Sequence, residues 1–266
     1  MIKYILKITS QENIKLEEKF FSEDFEIRYY ECNKFKEASP TTVLEFLNEA
    51  AGMHSTSVGY GYEALKQNGR VWLLNRWNLK VERYPKWEEK VSVKTWPSNF
   101  ERCFAKRDFL ITDENENTIA KAVSLWIFFD IEKKRPIRIP QEFNENYRVK
   151  DFNVMEDTFK EEHKAVSSFD SKRYKVCRDD IDFNNHVYNV RYLNWIINSV
   201  PEDIYEECFL DFLDIQYCKE VHYGMDILCN SEQISSGKNS YSFNHAIASP
   251  DENLIYAKGR TSWKAR

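Results

Sequence analysis

Hydrophobic and polar positions fall into two copies of one pattern. From Phe25 to Glu31 apolar and polar residues alternate, which predicts a strand. Ser39-Pro40 then opens a helix, with Ser as N-cap and Pro at the first helical position. Val43, Phe46, Leu47, Ala50, Ala51 and Met53 share one face of it, and Gly59 and Gly61 mark its end. The second half repeats the order. Arg173 to Cys177 predicts a short strand, a polar loop follows from Asp182 to His186, and a helix is expected from about Val187 to Ser199. Val190, Leu193, Ile196 and Ile197 form its apolar face, and Pro201 stops it. Several alternating segments follow each helix. A helix followed by a run of antiparallel strands is an α+β pattern, with a sheet wrapped round the helix.

The copies are visible in the residues themselves. The polar turn Thr112–Lys121 leads to Trp126, and Ser249–Lys258 leads to Trp263, 137 positions later. Trp77–Tyr84 parallels Leu213–Glu220 at an offset of 136. A near-constant offset means one unit used twice. Between the units, about Pro136 to Asp170 is polar and poor in periodicity, which reads as a linker. The expected division is therefore 1–135, a linker over 136–170, and 171–266. The run Lys133-Lys134-Arg135 with Arg138 opens the linker. It is either a solvated edge or a docking patch for an acidic carrier.

Composition narrows the classes. The chain has 266 residues, 42% of them hydrophobic and 15% aromatic, enough for a sizeable core. A net charge of −5 speaks against nucleic acid as the main partner. Six cysteines show no Cys-x-x-Cys pair and no zinc-like spacing, so free thiols are expected, with no metal and no cofactor. The apolar run Met1–Ile8 is interrupted by Lys3 and Lys7 and is too short to cross a membrane. A short strand or loose end is expected there, in a cytoplasmic protein without membrane insertion.

Candidate chemistry concentrates in one loop. Asp182, Asn184 and His186 stand at i, i+2 and i+4, just ahead of a helix. A carboxylate, an amide and an imidazole so close can activate water or attack a carbonyl. Amides at a helix mouth suit a developing oxyanion, and those of Val187 and Tyr188 are the expected donors. Asp and Asn before a helix are also ordinary caps and turn formers. Matching Leu193 with Leu47 puts Pro40 at the position of His186 and Lys36 at that of Asp182, so the set is not repeated. Glu220, at a strand end opposite Tyr84 of the first copy, is either an exposed carboxylate or one brought over to orient His186. His54 reads as a packed helical residue. His163, His222 and His245 lack partners at useful spacing, and Cys218 and Cys229 read as small core residues.

The chain resembles the acyl-acyl carrier protein (acyl-ACP) thioesterases, in their bacterial form. The pattern Asp-x-Asn-x-His-Val-x-Asn-x-(Lys/Arg)-Tyr is met by Asp182, Asn184, His186, Val187, Asn189, Arg191 and Tyr192, and Ile215–Glu220 looks like the family strand that ends in the catalytic Glu. Leu47–Ala51, Val58-Gly59, Trp77–Pro85, Arg107-Asp108 and Ser124–Trp126 resemble the family's first half. The resemblance implies tandem hot-dog domains, the first holding the acyl chain and the second supplying Asp182, Asn184, His186 and Glu220. It implies hydrolysis of fatty acyl-ACP to free fatty acid, as monomer or homodimer. Basic candidates for ACP docking are Lys133, Lys134, Arg135, Lys172 and Arg173. The family's Cys after the Glu is Val221 here, which excludes a thiolate at that position. A hot-dog hydratase or dehydratase, or a non-catalytic acyl-carrier binding protein, are the alternatives.

Overall fold

The computed structural model describes residues 20–164, 166, 170–237 and 240–266. The run Met1–Ile8 lies outside them. The first half holds β1 (Phe21–Glu26), α1 (Pro40–Ser57), α2 (Tyr62–Gln67), β2 (Arg70–Val81), β3 (Lys90–Glu101), β4 (Phe104–Asp113), β5 (Thr118–Asp130) and the short β6 (Arg135–Pro136). After α3 (Glu142–Asn146), the second half holds β7 (Asp170–Lys175), α4 (Asn189–Ser199), α5 (Glu202–Glu207), β8 (Cys208–Tyr217), β9 (Asp226–Gly237), β10 (Ser240–Ala248) and β11 (Ile255–Ala265).

The strands form one antiparallel sheet in the order β1-β3-β4-β5-β2-β8-β11-β10-β9-β7, with β6 beside β5. Read from either edge, the order within a half is the same, so the repeat seen in the sequence is a repeat of topology. The halves meet where β2 pairs with β8, and Asn78 faces Asp214. Those two residues are 136 apart, the offset of the sequence repeat. Equivalent positions facing each other are what a two-fold seam produces. Each half is a hot-dog unit, its long helix packed on its own part of the sheet, and α1 and α4 touch.

One core runs through both halves. Leu47, Trp77, Leu79, Leu193, Leu213 and Ile215 are almost fully buried members of it. Each such side chain contributes about 1.5–3 kcal/mol by leaving water. Below the seam, Asp214 receives Arg76 Nε at 2.7 Å and Nη2 at 2.6 Å, while Arg76 Nη1 donates to the carbonyls of Phe159 and Glu161. Thr158 joins Asn78 and Asp214 from the connecting segment. That segment is thus anchored on the sheet, with Phe143 and Tyr147 buried, while many of its other residues are exposed.

Helix α1 starts as the sequence predicts. Ser39 Oγ accepts from Thr42 N at 3.1 Å and Pro40 opens the first turn. Three boundaries differ. The alternation at Phe25–Glu31 ends early, because Tyr29–Glu31 form a 3-10 turn held by Arg28 N donating to Glu31 Oε2, and Tyr29 and Tyr30 face solvent. The second strand stops at Lys175 for the same reason, with Cys177 N donating to Asp180 Oδ2. Helix α4 begins at Asn189 rather than Val187, which is held in a bridge to Ile181.

Candidate active site

The loop before α4 is built round the Asp182 carboxylate. Asp182 Oδ1 accepts from Asn184 N at 2.8 Å and from His186 N at 3.2 Å, and Asn185 closes the turn at φ +64. The first half builds the same loop. Asn33 Oδ1 accepts from Phe35 N at 2.9 Å and from Glu37 N at 3.3 Å, and Lys36 sits at φ +59. The structural equivalents of Asp182, Asn184 and His186 are therefore Asn33, Phe35 and Glu37. The alignment that set Lys36 against Asp182 and Pro40 against His186 is off by three residues, because it was anchored on helix-face leucines and not on the turn. The expected asymmetry survives the correction: the first copy carries no imidazole at this point.

Glu220 comes to this loop from the end of β8. Its Oε2 lies 3.3 Å from His186 Nε2, and both side chains are partly exposed. The link is made by backbone: Val187 N donates to Val221 O at 2.9 Å. The first half repeats it with Ala38 N and Pro85 O at 2.8 Å, placing Glu37 and Tyr84 where His186 and Glu220 stand. Tyr188 N donates to Asp180 O at 2.8 Å. The amides of Val187 and Tyr188, expected as oxyanion donors, are thus both committed to holding the loop. The first amides of α4, at Asn189 and Val190, have no acceptor within the helix.

His222 also belongs to this place, although its sequence spacing gave it no partner. Its ring packs 5.1 Å from that of His186, and its Nδ1 lies 3.3 Å from Asn185 O. One ligand atom each from His186, Glu220 and His222 lie within 4.8 Å of one another, a set able to hold a transition-metal ion. His163 also has a partner, Asp214 Oδ1 at 3.4 Å. His245 is buried between Ser231 and Thr261, and burial lowers it to about 3. Cys229 is a core residue, its thiol pushed up to about 12 by burial, whereas Cys218 is exposed.

The loop leans on the first half. Tyr62 OH donates to Asn184 Oδ1, and the Tyr62 ring meets Phe183 edge-on at 4.7 Å. Asn48 Nδ2 donates to Asn189 Oδ1 at 3.1 Å. Asn48 and Tyr62 also line the largely apolar cavity of the first half, of about 180 Å³, with Ala51, Gly52, Trp72 and Phe100 among its walls. The polar cluster and the cavity are therefore neighbours. Met53, placed by the sequence on the apolar face of this helix, is not part of the wall; Gly52 and Ser55 are.

Residues 18–147 match the family model of the acyl-ACP thioesterase N-terminal domain, and residues 163–265 that of the C-terminal domain. The chain belongs to the acyl-ACP thioesterase family. It is 30% identical over 268 residues to the chloroplastic palmitoyl-acyl carrier protein thioesterase of Gossypium hirsutum, covering 92% of this chain and 64% of that protein. It thus spans a little under two thirds of that relative's length. The fold is shared with an acyl-ACP thioesterase of Bacteroides thetaiotaomicron, at TM-score 0.83 and 20% identity over 94% of this chain and 100% of that one. It is also shared with the 12:0-ACP thioesterase of Umbellularia californica, at TM-score 0.82 and 22% identity over 93% and 94% of the two chains.

In this member of the family, Asp182, Asn184, His186 and Glu220 lie together. Val221 is fully buried and contributes only its carbonyl to the site. Tyr62 had no sequence signal, and Asn48 had none beyond its place in Leu47–Ala51, since their importance comes from contacts some 120–140 residues away along the chain. No helix among the described residues is long and apolar enough to cross a membrane.

Proposed function

We propose that the chain hydrolyses the thioester of fatty acyl-ACP, releasing free fatty acid and ACP. Family membership supports the reaction class. The observation that carries the reading is the His186–Glu220 pair, 3.3 Å apart, beside an amide that Tyr62 ties to the apolar cavity. The acyl chain enters the cavity of the first half and its carbonyl stops at the loop.

The geometry separates the two carboxylates. Asp182 already gives one oxygen to two backbone amides, so it shapes the loop and faces Asn184 Nδ2 with the other, at 3.5 Å. Glu220 is free of such duty and faces the imidazole. In the proposed reaction His186, oriented by Glu220, takes a proton from water as its oxygen bonds to the carbonyl carbon. Asn184 Nδ2 and the first amides of α4 hold the negative oxygen. The tetrahedral intermediate then breaks its C–S bond, and His186 returns the proton to the leaving thiolate. General base help of this type supplies about 10²–10⁴-fold.

We place the acyl-holding unit at 1–135 and the catalytic unit at 171–266. One qualification comes from Tyr147 of the connecting segment, which also lines the cavity. We also infer action in the cytoplasm, on an ACP that approaches through basic residues. Lys133–Arg135 lie at the β5–β6 turn, and Lys172 and Arg173 lie on the edge strand β7. Lys133 is partly neutralised by Asp130 at 3.4 Å. The test is incubation with a panel of acyl-ACPs. Equal appearance of free thiol and free fatty acid supports hydrolysis; an altered acyl chain with the thioester intact would instead indicate hydration or dehydration.

A further inference from the structure

His222 has no task in the proposed reaction, yet the chain holds it against the loop. Val221 is fully buried and its carbonyl accepts from Val187 N, while Glu220 and His222 on either side of it are exposed beside His186. The chain then turns back at Gly224, whose φ is +80, and His222 N donates to Met225 Sδ at 3.2 Å. The first half builds the same junction from other side chains. At the offset of 136, Lys86 stands where His222 stands, beside Glu37 and Tyr84, and Glu37 and Lys86 form a backbone bridge. The turn therefore folds without an imidazole, and two imidazoles beside a carboxylate are peculiar to the second loop.

The spacing of the three side chains suits a metal ion. His186 Nε2 and Glu220 Oε2 are 3.3 Å apart. Two ligands on a tetrahedral zinc ion with bonds of about 2.0–2.1 Å have this same separation. The ligand atom of His222 lies within 4.8 Å of both. Drawing it in by about 1.5 Å completes a tetrahedral set, and the exposed side chains of His222 and Glu220 are free to make that move. His222 Nδ1 lies 3.3 Å from Asn185 O. A carbonyl only accepts, so Nδ1 carries the proton and Nε2 the lone pair. An imidazole tied back to a carbonyl in this way is the usual form of a metal-binding histidine. Magnesium and calcium take oxygen ligands, whereas imidazole with one carboxylate suits zinc.

We propose that His186 Nε2, Glu220 and His222 Nε2 form a site for Zn2+, and that filling it stops hydrolysis. The site stands on its own geometry; the block rests on the thioesterase reading. A neutral imidazole has one lone pair. With zinc on Nε2 the ring proton of His186 sits on Nδ1, and neither nitrogen can take a proton from water. Glu220 is drawn to the ion and no longer orients the ring. The block is reversible, since a chelator that removes the ion restores the pair.

The test uses the whole chain, first freed of metal with EDTA. Zinc binding is read by competition with a chromophoric chelator, and hydrolysis by release of free fatty acid from acyl-ACP. The wild type should lose activity in step with the filling of a single zinc site and regain it with EDTA. His222→Ala, measured against its own metal-free rate, should bind zinc roughly tenfold or more weakly and need correspondingly more for the same fractional loss. Equal zinc binding by the two proteins would overturn the site and place the ion elsewhere, for instance on the exposed thiols of Cys177 or Cys218. Cobalt in the wild type gives a second reading that needs no variant. It should show the visible bands of tetrahedral nitrogen and oxygen coordination, and a thiolate charge-transfer band would overturn the site. Zinc that binds through His222 and leaves hydrolysis unchanged or faster would overturn the block. His222-dependent binding in a protein that hydrolyses no acyl-ACP would retain the site and sink the thioesterase reading. Hydrolysis intact in a protein that binds no zinc would do the reverse.

Discussion

Tyr62 of the first half donates its hydroxyl hydrogen to Asn184 Oδ1 of the second. The bond crosses from the wall of the acyl cavity to the polar loop and fixes which way the amide faces. With its oxygen engaged, Asn184 turns Nδ2 towards Asp182 Oδ2 and the open side of the loop. Tyr62→Phe keeps the ring and its contact with Phe183 but loses this bond. A hydrogen bond of this sort is worth about 0.5–1.5 kcal/mol, so kcat/KM should fall roughly two- to tenfold with the fold unchanged. Steady-state hydrolysis of one good acyl-ACP checks it; an unchanged kcat/KM would remove Tyr62 from the site.

Asp182 and Asn33 hold equivalent turns, and only one of those turns is next to an imidazole. If Asp182 acts by shaping the loop, an amide can replace it. Asp182→Asn keeps an oxygen for the Asn184 and His186 amides, and it should retain activity within about tenfold of wild type. Asp182→Ala removes that acceptor and should lose on the order of a hundredfold or more. Equal, near-complete loss in both variants would instead make the carboxylate charge itself the reacting group.

Gly52 lines the cavity from α1, and a Cβ built there meets no atom within 4 Å. Gly52→Leu should therefore fit the helix and fill cavity space. We expect hydrolysis of the longest accepted chains to drop while shorter ones are kept. Each methylene denied burial costs about 0.8 kcal/mol, close to fourfold in kcat/KM. A chain-length profile of released acids reads this out, and an unchanged profile would place the acyl chain elsewhere.

Burial pushes the Asp108 carboxyl up to about 6, and its Oδ2 is buried without a partner. Between the unfolded value near 3.8 and the folded value near 6, the native state holds a proton that the unfolded state has lost. Stability from this group therefore falls as pH rises through that window and stays reduced above it. Asp108→Asn keeps an acceptor for Val154 N and removes the buried charge. It should stabilise the protein by about 1–3 kcal/mol at neutral pH and by almost nothing near the unfolded value. Urea unfolding at two pH values checks this; a gain that is the same at both would assign it to something other than the carboxyl.

Much of this was legible in the chain. The offsets of 137 between Trp126 and Trp263 and 136 between Trp77 and Leu213 announced two copies, and the structure shows Asn78 facing Asp214 at the second of these. Ser39-Pro40 marked the first helix because capping is local chemistry. The loop register was not legible. Aligning Leu47 with Leu193 matched helix faces, while the true correspondence of Asn33 with Asp182 is carried by side chain to backbone bonds within the turn. Tyr29 and Tyr30 looked like strand residues because an aromatic pattern does not say which side is wet. His222, Tyr62 and Asn48 were out of reach, since only the folded chain brings them to the loop.

Everything proposed for the reaction depends on Glu220 orienting His186 across the 3.3 Å between them. The most direct measurement is the initial rate of free-thiol release from acyl-ACP by wild type, His186→Ala and Glu220→Gln. Both variants should keep the wild-type circular dichroism spectrum and lose about a hundredfold or more in turnover. A folded Glu220→Gln protein that releases thiol at close to the wild-type rate would contradict the account.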